Sequence, residues 1–140
     1  MQPKHVCKSH SIKEIALGFK HTIFVNMKGR AYTFGVNERC ILGNTSIPTG
    51  SVRNSESSSE LPDKDIVSVA ANECSSAYVT QKGAVYYWGK SFDGSSDIPK
   101  PVKYDTKDAR FIKVQIGSNF MVALSGNFIF VIYEFNLILF

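Results

Sequence analysis

His5, Cys7 and His10 set imidazole and thiol side chains close together near the start of the chain. A structural zinc site needs four ligands, and its cysteines usually come as close pairs such as C-x-x-C. Cys7, Cys40 and Cys74 are widely spaced and odd in number, and no such pair exists. The sequence therefore predicts no metal site and no disulfide framework, only the free thiols that a reducing compartment maintains. His21 is the remaining histidine. A catalytic imidazole needs a nucleophile or an orienting acid within hydrogen-bond reach, and the sequence around His21 offers neither. His21 is read as a framework residue, and Trp88 as a core or packing-contact aromatic. There is no G-x-S-x-G, no phosphate-binding G-x-x-x-x-G-K-[ST] and no G-x-G-x-x-G, so hydrolase, kinase and dehydrogenase readings lack support. No catalytic, cofactor-binding or metal-ligating residue is assigned, and the expectation is a protein that is not an enzyme and needs no cofactor.

Charge is unevenly placed. Residues 1–30 hold Lys4, Lys8, Lys13, Lys20, Lys28 and Arg30 against Glu14 alone, so the whole net charge of +4 originates there. Such an end can attract an acidic partner, chromatin or nucleic acid included. No base-reading motif accompanies it, and a solvated basic arm over residues 1–11 is the favoured reading. That arm lacks the apolar segment of a secretory signal, and no run of about 18 apolar residues could cross a membrane. Asn44-Thr45-Ser46 matches a glycosylation sequon but is read as a loop turn. A cytoplasmic or nuclear location follows as the expectation.

The elements that position these residues emerge from internal repetition. The segment Ile12–Val25 aligns without a gap to Ile66–Val79, 54 residues on, and to Phe111–Leu124, a further 45 on. In the first two copies the match continues: Gly29 aligns with Gly83, Tyr32 with Tyr86, Phe34 with Trp88, and Gly35 with Gly89. Each copy reads as short strands of β-branched and aromatic residues with glycine at the turns. Three or four antiparallel strands per roughly 50 residues make a propeller blade. Pro48, Gly50, Pro62 and the Ser-rich run 51–60 mark a flexible surface loop, an insertion that could also carry phosphorylation. Residues 92–107 form a second connector.

The pattern Ile-x-x-Ile-Ala-x-Gly-x-x-His-Thr, then Gly-x-x-Tyr-x-Phe-Gly, then Asn37 and Leu42-Gly43, resembles the repeat of the regulator of chromosome condensation family. The resemblance covers residues 12 to about 125. The second copy departs at Asn72 and Ser75 and lacks the Leu-Gly, and the third has Phe120 at the His position. The resemblance implies an all-β fold of antiparallel propeller blades, two to three of the seven in a closed ring. It implies a non-enzymatic protein-interaction module that grips another protein with a loop-lined face. The alternative is part of a guanine nucleotide exchange factor for a small Ran-type GTPase.

The expected organisation is a basic arm over 1–11, repeats over 12–127 with copies starting near 12, 66 and 111, and an apolar tail over 128–140 outside the pattern. The repeat calls for Gly at 128 and an aromatic-Gly pair at 133–134, where the chain has Phe128, Tyr133 and Glu134. Fewer than three blades leave open edges. Self-assembly, or further blades from a longer chain, would cover them.

Overall fold

The computed structural model describes residues 11–91, 96–103, 109–126, 128–133 and 136–139. The basic arm, with His5, Cys7 and His10, lies outside them apart from Ser11. So do residues 92–95 and 104–107 of the second connector.

Three antiparallel sheets follow one another along the chain. The first contains β1 (Ile12–Leu17), β2 (His21–Asn26) and β3 (Ala31–Val36), with two short strands, β4 (Val52–Arg53) and β5 (Ser59–Glu60), both paired to β3. The second runs β6 (Ile66–Ala71), β7 (Ser75–Thr80), β8 (Val85–Lys90) and β9 (Asp97–Lys103). The third runs β10 (Lys113–Ile116), β11 (Met121–Ser125), β12 (Phe128–Tyr133) and β13 (Asn136–Leu139). Each sheet is a blade in which neighbours in sequence are neighbours in space, except that β5 pairs with β3 rather than with β4. The all-β expectation holds.

The repeated glycines stand where the backbone requires them. Gly29 and Gly83 turn the second strand into the third at φ +73° and +83°, values costly for residues with a Cβ. A Cβ on Gly29 would lie 2.8 Å from Asp65 Cα, and one on Gly83 would lie 2.7 Å from Arg110 Cα. These close approaches join consecutive blades: Ile66 donates its amide to the Gly29 carbonyl (2.9 Å) and Phe111 to that of Gly83 (3.1 Å).

Side chains alternate between the two faces of each strand, so every blade has a leading face toward the preceding blade and a trailing face toward the next. Ile23, Val25, Ala31 and Leu61 of blade 1 pack against Ile66, Val69, Tyr78 and Trp88 of blade 2. Ala77, Val79, Val85 and Tyr87 of blade 2 pack against Phe111, Val114, Met121 and Ile132 of blade 3. Full burial of each large apolar side chain is worth roughly 1.5–3 kcal/mol, so the blade junctions hold most of the core.

Three features differ from the sequence expectation. The Ser-rich run is not loop throughout: it supplies β4 and β5, and between them Asn54 caps a 3-10 turn at Ser55–Ser57, its side chain accepting from the Ser57 amide (2.9 Å). The second connector becomes β9 despite Pro99 and Pro101. Being the outermost strand, it has one side free of ladder bonds, where proline is tolerated, and the register shift between Tyr87 and Gly89 accommodates the proline segment. The segment from Phe128, where the sequence pattern ends, nevertheless supplies the third and fourth strands of blade 3. Its hairpin closes between Ser125 and Phe128, with Gly126 at φ +56°. This shorter turn moves the register by one residue. Pairing places Phe34 opposite Thr22, Trp88 opposite Ser76, and Ile132 opposite Met121. The aromatic position thus falls on Ile132 rather than Tyr133.

Candidate functional site

At one end of the blades the first and second strands are joined by residues 18–20, 72–74 and 117–120, and the segment 37–51 leaves β3 beside the first of these turns. Each turn closes with the same bond: the amides of Gly18, Asn72 and Gly117 donate to the carbonyls of His21 (2.8 Å), Ser75 (3.0 Å) and Phe120 (2.8 Å). A Cβ on Gly18 would overlap the His21 imidazole, and one on Gly117 would meet the Phe120 ring at 2.6 Å. Glycine therefore accompanies a ring three residues later. Where the fourth residue is the small Ser75, the first can be Asn72. Its Oδ1 accepts from the amides of Cys74 (3.0 Å) and Ser75 (2.8 Å), and its Nδ2 donates to the Gly117 carbonyl (2.6 Å).

His21 serves the framework. It is only 3% exposed, and its Nε2 lies 2.7 Å from Ser76 Oγ across the junction of blades 1 and 2. Nδ1 is buried and has no hydrogen-bond partner. Burial holds the imidazole's pKa down at about 4, so it is neutral at physiological pH. Trp88 is fully buried at the same junction and donates its indole N–H to the Ile41 carbonyl (2.8 Å). Gly43, at φ +70°, lets the chain pass under the indole: a Cβ there would lie 2.9 Å from Nε1. The Leu42-Gly43 signature thus belongs to the packing around Trp88.

The segment after β3 is shaped by Asn37, which is fully buried. Its Oδ1 accepts from the Leu42 amide (3.1 Å), and its Nδ2 donates to the carbonyls of Ile47 (2.8 Å) and Pro48 (3.3 Å). Within this loop Arg39 and Cys40 take left-handed conformations, φ +51° and +57°. Such conformations are costly for these residue types and persist where surrounding contacts fix them. Arg39 Nη1 reaches Asp97 of blade 2 (3.0 Å), and Lys20 Nζ reaches Glu38 (2.7 Å). Next to Lys20, Phe19 is 77% exposed, with the Lys20 ammonium 5.8 Å from its ring centre. This aromatic, flanked by charges on a braced loop, was not singled out by sequence reasoning. Its signal was an apolar residue in a turn position where the other copies have Glu73 and Ser118.

The other sequence candidates fall apart in space or into structural roles. Cys40 and Cys74 are half-buried free thiols. Among the described residues no three His, Cys, Asp or Glu side chains gather as a metal site, and no helix is long and apolar enough to cross a membrane. Asn44 of the sequon accepts from the Ser46 amide (2.9 Å) and donates to Ser59 Oγ (3.0 Å), which fits the turn reading. A shallow polar groove of about 330 Å³ lies between Asn44, Arg53 and Ser57–Glu60. A depression of about 40 Å³ beside Cys74 and Lys90 has room for water rather than an organic cofactor.

No family model matches the chain. It is 30% identical over 128 residues to the regulator of chromosome condensation of Xenopus laevis, covering 90% of this chain and 29% of that protein. It is 28% identical over 137 residues to the Mus musculus protein of the same name, covering 90% and 31%. The chain thus spans less than a third of the length of these relatives. Among solved structures it superposes on human WBSCR16 with a TM-score of 0.76 and 16% identity, over 94% of this chain and 38% of that one. It superposes on Prp20p from Saccharomyces cerevisiae, described with its binding to Gsp1p and histones, with a TM-score of 0.70 and 23% identity, over 86% and 33%. The fold is that of a partial β-propeller.

Proposed function

We propose that this chain, whose repeats are of the regulator of chromosome condensation type, is a non-enzymatic docking module that binds a protein partner through its loop-lined face. One observation carries the reading: Phe19 stands 77% exposed on a turn whose next residue, Lys20, is ion-paired to Glu38 of the neighbouring loop. Aromatic side chains bury a large area at low entropic cost and anchor interfaces when a rigid surface presents them. The charges beside it, Lys20 and its ion-pair partner Glu38, are of both signs and suit a mixed, polar rim. A photo-crosslinking amino acid at position 19 tests this in cells. Adducts of defined mass should form there and not from position 27, whose Met is 67% exposed on the opposite end of the blade. Equal labelling from both positions would reject a face-specific partner.

A second reading is that the module forms part of a nucleotide exchange factor for a small Ran-type GTPase. It is favoured by the similarity along 90% of the chain to the two regulators of chromosome condensation. Release of a fluorescent guanine nucleotide from such a GTPase, timed with and without the chain, tests it. Unchanged release rates at saturating chain would count against exchange activity while leaving docking intact. Contact with chromatin through residues 1–30 is a further partner proposal. Its affinity should fall steeply with salt, because phosphate contacts release counterions.

A further inference from the structure

The serine-rich run over 51–60 gives its serines different surroundings. Ser51, Ser55, Ser58 and Ser59 are half-buried, whereas Ser57 is exposed. Ser51 Oγ donates to the Pro48 carbonyl, and Ser59 Oγ accepts from Asn44 Nδ2 (3.0 Å). Of the serines in the run, Ser57 is also the one with a carboxylate three residues on, at Glu60.

The segment around Ser57 is easily opened. Ser57 ends the 3-10 turn Ser55–Ser57, which buries no side chain. The flanking strands β4 and β5 are two residues each. Asn54 (φ −84°, ψ 172°) and Ser58 (φ −57°, ψ 143°), on either side of the turn, are already extended. With so few buried contacts, local opening costs little, and the chain can be drawn straight into the cleft of a modifying enzyme. Glu60 pairs with Arg30 at the surface. Exposed pairs of this kind are weak, so Glu60 can exchange Arg30 for a cation of that enzyme.

The surface beside Ser57 suits a phosphate. Ser57, Ser58, Asn44 and Arg53 line the polar groove of about 330 Å³. Arg53 makes no ion pair among the described residues, and a guanidinium can hold phosphate through two parallel hydrogen bonds. The Ser57 hydroxyl donates to Asn54 Oδ1 (2.8 Å), which also accepts from the Ser57 amide (2.9 Å). A phosphate dianion has no proton to donate there. Asn54 Oδ1 repels it, and Arg53 across the groove attracts it. Two carboxylates lie close in sequence: Glu56 is exposed to solvent, and the charge of Glu60 is offset by Arg30.

We propose that Ser57 is a phosphorylation site for an acid-directed serine/threonine kinase, and that Arg53 holds the resulting phosphate in this groove. Kinases of this class select substrates by charge pattern, here the carboxylate of Glu60. In the transfer, Ser57 Oγ forms a bond to the γ-phosphorus of ATP while the bond from that phosphorus to the β,γ-bridging oxygen breaks. The hydroxyl proton passes to the catalytic aspartate of the kinase, and ADP leaves. The product carries a charge of about −1.5 to −2 at pH 7. Its pairing with Arg53 ties the turn to β4, so that the modification orders the outer edge of blade 1.

Incubation of the full 140-residue chain with a purified acid-directed kinase and ATP, followed by tandem mass spectrometry, tests the site. One phosphate is expected, on Ser57. Glu60→Gln should be modified more slowly by roughly tenfold or more, the worth of a lost contact to a charged group. Circular dichroism checks that this variant remains folded. Phosphorus NMR of the modified chain tests the groove. The phosphate should lose its second proton at lower pH in the wild type than in Arg53→Gln, because a nearby guanidinium favours the dianion. A folded wild-type chain left unmodified at Ser57, or Glu60→Gln modified at the wild-type rate, would overturn the site. Equal phosphate titration in the wild type and Arg53→Gln would overturn the role of Arg53.

Discussion

Trp88 in blade 2 packs against Gly43 of blade 1, so close that a Cβ at position 43 would stand 3.0 Å from the indole Cε2. The contact is fully buried, and the indole N–H is matched by the Ile41 carbonyl at 2.8 Å. Gly43→Ala adds both a crowded methyl and an unfavourable φ of +70°, and should destabilise the chain by about 1–3 kcal/mol. Trp88→Phe leaves the carbonyl without its donor and a void beside it, costing about 2–4 kcal/mol. Urea denaturation of each variant measures both. Wild-type stability in Gly43→Ala would mean that the loop moves away freely.

His21 makes stability depend on pH. Its folded pKa, about 4, lies below the ordinary 6.5 because burial disfavours the charged imidazolium. Between these values the unfolded chain binds the extra proton, so stability is full above pH 6.5 and falls as pH drops toward 4. At roughly 1.4 kcal/mol per pKa unit the loss is about 3 kcal/mol. The third copy shows which substitution to use, since Phe120 occupies the same place over Gly117. His21→Phe should fold and should flatten the difference in urea midpoint between pH 7.5 and pH 5. An undiminished pH dependence in this variant would assign the effect to other groups.

The link between the first and fourth residues of each inner turn can be tested by exchange. Gly18→Asn should be destabilising because the His21 ring fills the space that Asn72 uses in blade 2. Gly18→Asn combined with His21→Ser recreates the pair Asn72 and Ser75, and should be more stable than the sum of the single changes by about 1 kcal/mol or more. A double-mutant cycle by thermal denaturation reads this coupling directly. Strict additivity would mean that the two positions sense separate surroundings.

The blades were legible in the sequence wherever the turn geometry leaves no alternative to glycine. Gly29 and Gly83 each let the next blade's backbone approach, and Gly35 and Gly89, at φ +120° and +96°, crowd the backbones of His21 and Ser75. Identical residues recur because identical close approaches recur. Blade 3 was harder to read because its hairpin is shorter, which removes the expected glycine at 128 and moves the aromatic position to Ile132, where aliphatic bulk fills the same space. The Ser-rich run hid β4 and β5 because an outermost strand needs backbone bonds more than apolar side chains. Phe19 carried no repeat signal: a residue that faces solvent in one copy is free to differ in the others. Which strands form blades follows from packing that recurs, whereas the contact surface lies in the turns that do not.

Asn37 offers a way to separate the shape of the loop face from its contacts. Its side chain accepts one backbone bond and donates two, and it lies fully buried. Asn37→Asp keeps the size and the acceptor but sets a carboxylate against the carbonyls of Ile47 and Pro48. Losing the donor in a buried setting should cost about 2–4 kcal/mol, and the loop that carries Arg39 should loosen first. Hydrogen exchange should then quicken at Leu42, Gly43 and Ile47, whose amides bond within this loop, before the amides of β7 respond. Phe19→Ala, by contrast, should leave both exchange and melting temperature as in the wild type, since an exposed ring contributes little to stability, while weakening crosslinking from neighbouring positions such as Lys20. If Asn37→Asp loosens the loop yet crosslinking from position 19 keeps its wild-type yield, the partner recognises the Phe19 turn alone. If both decline together, the braced loop is part of the contact surface.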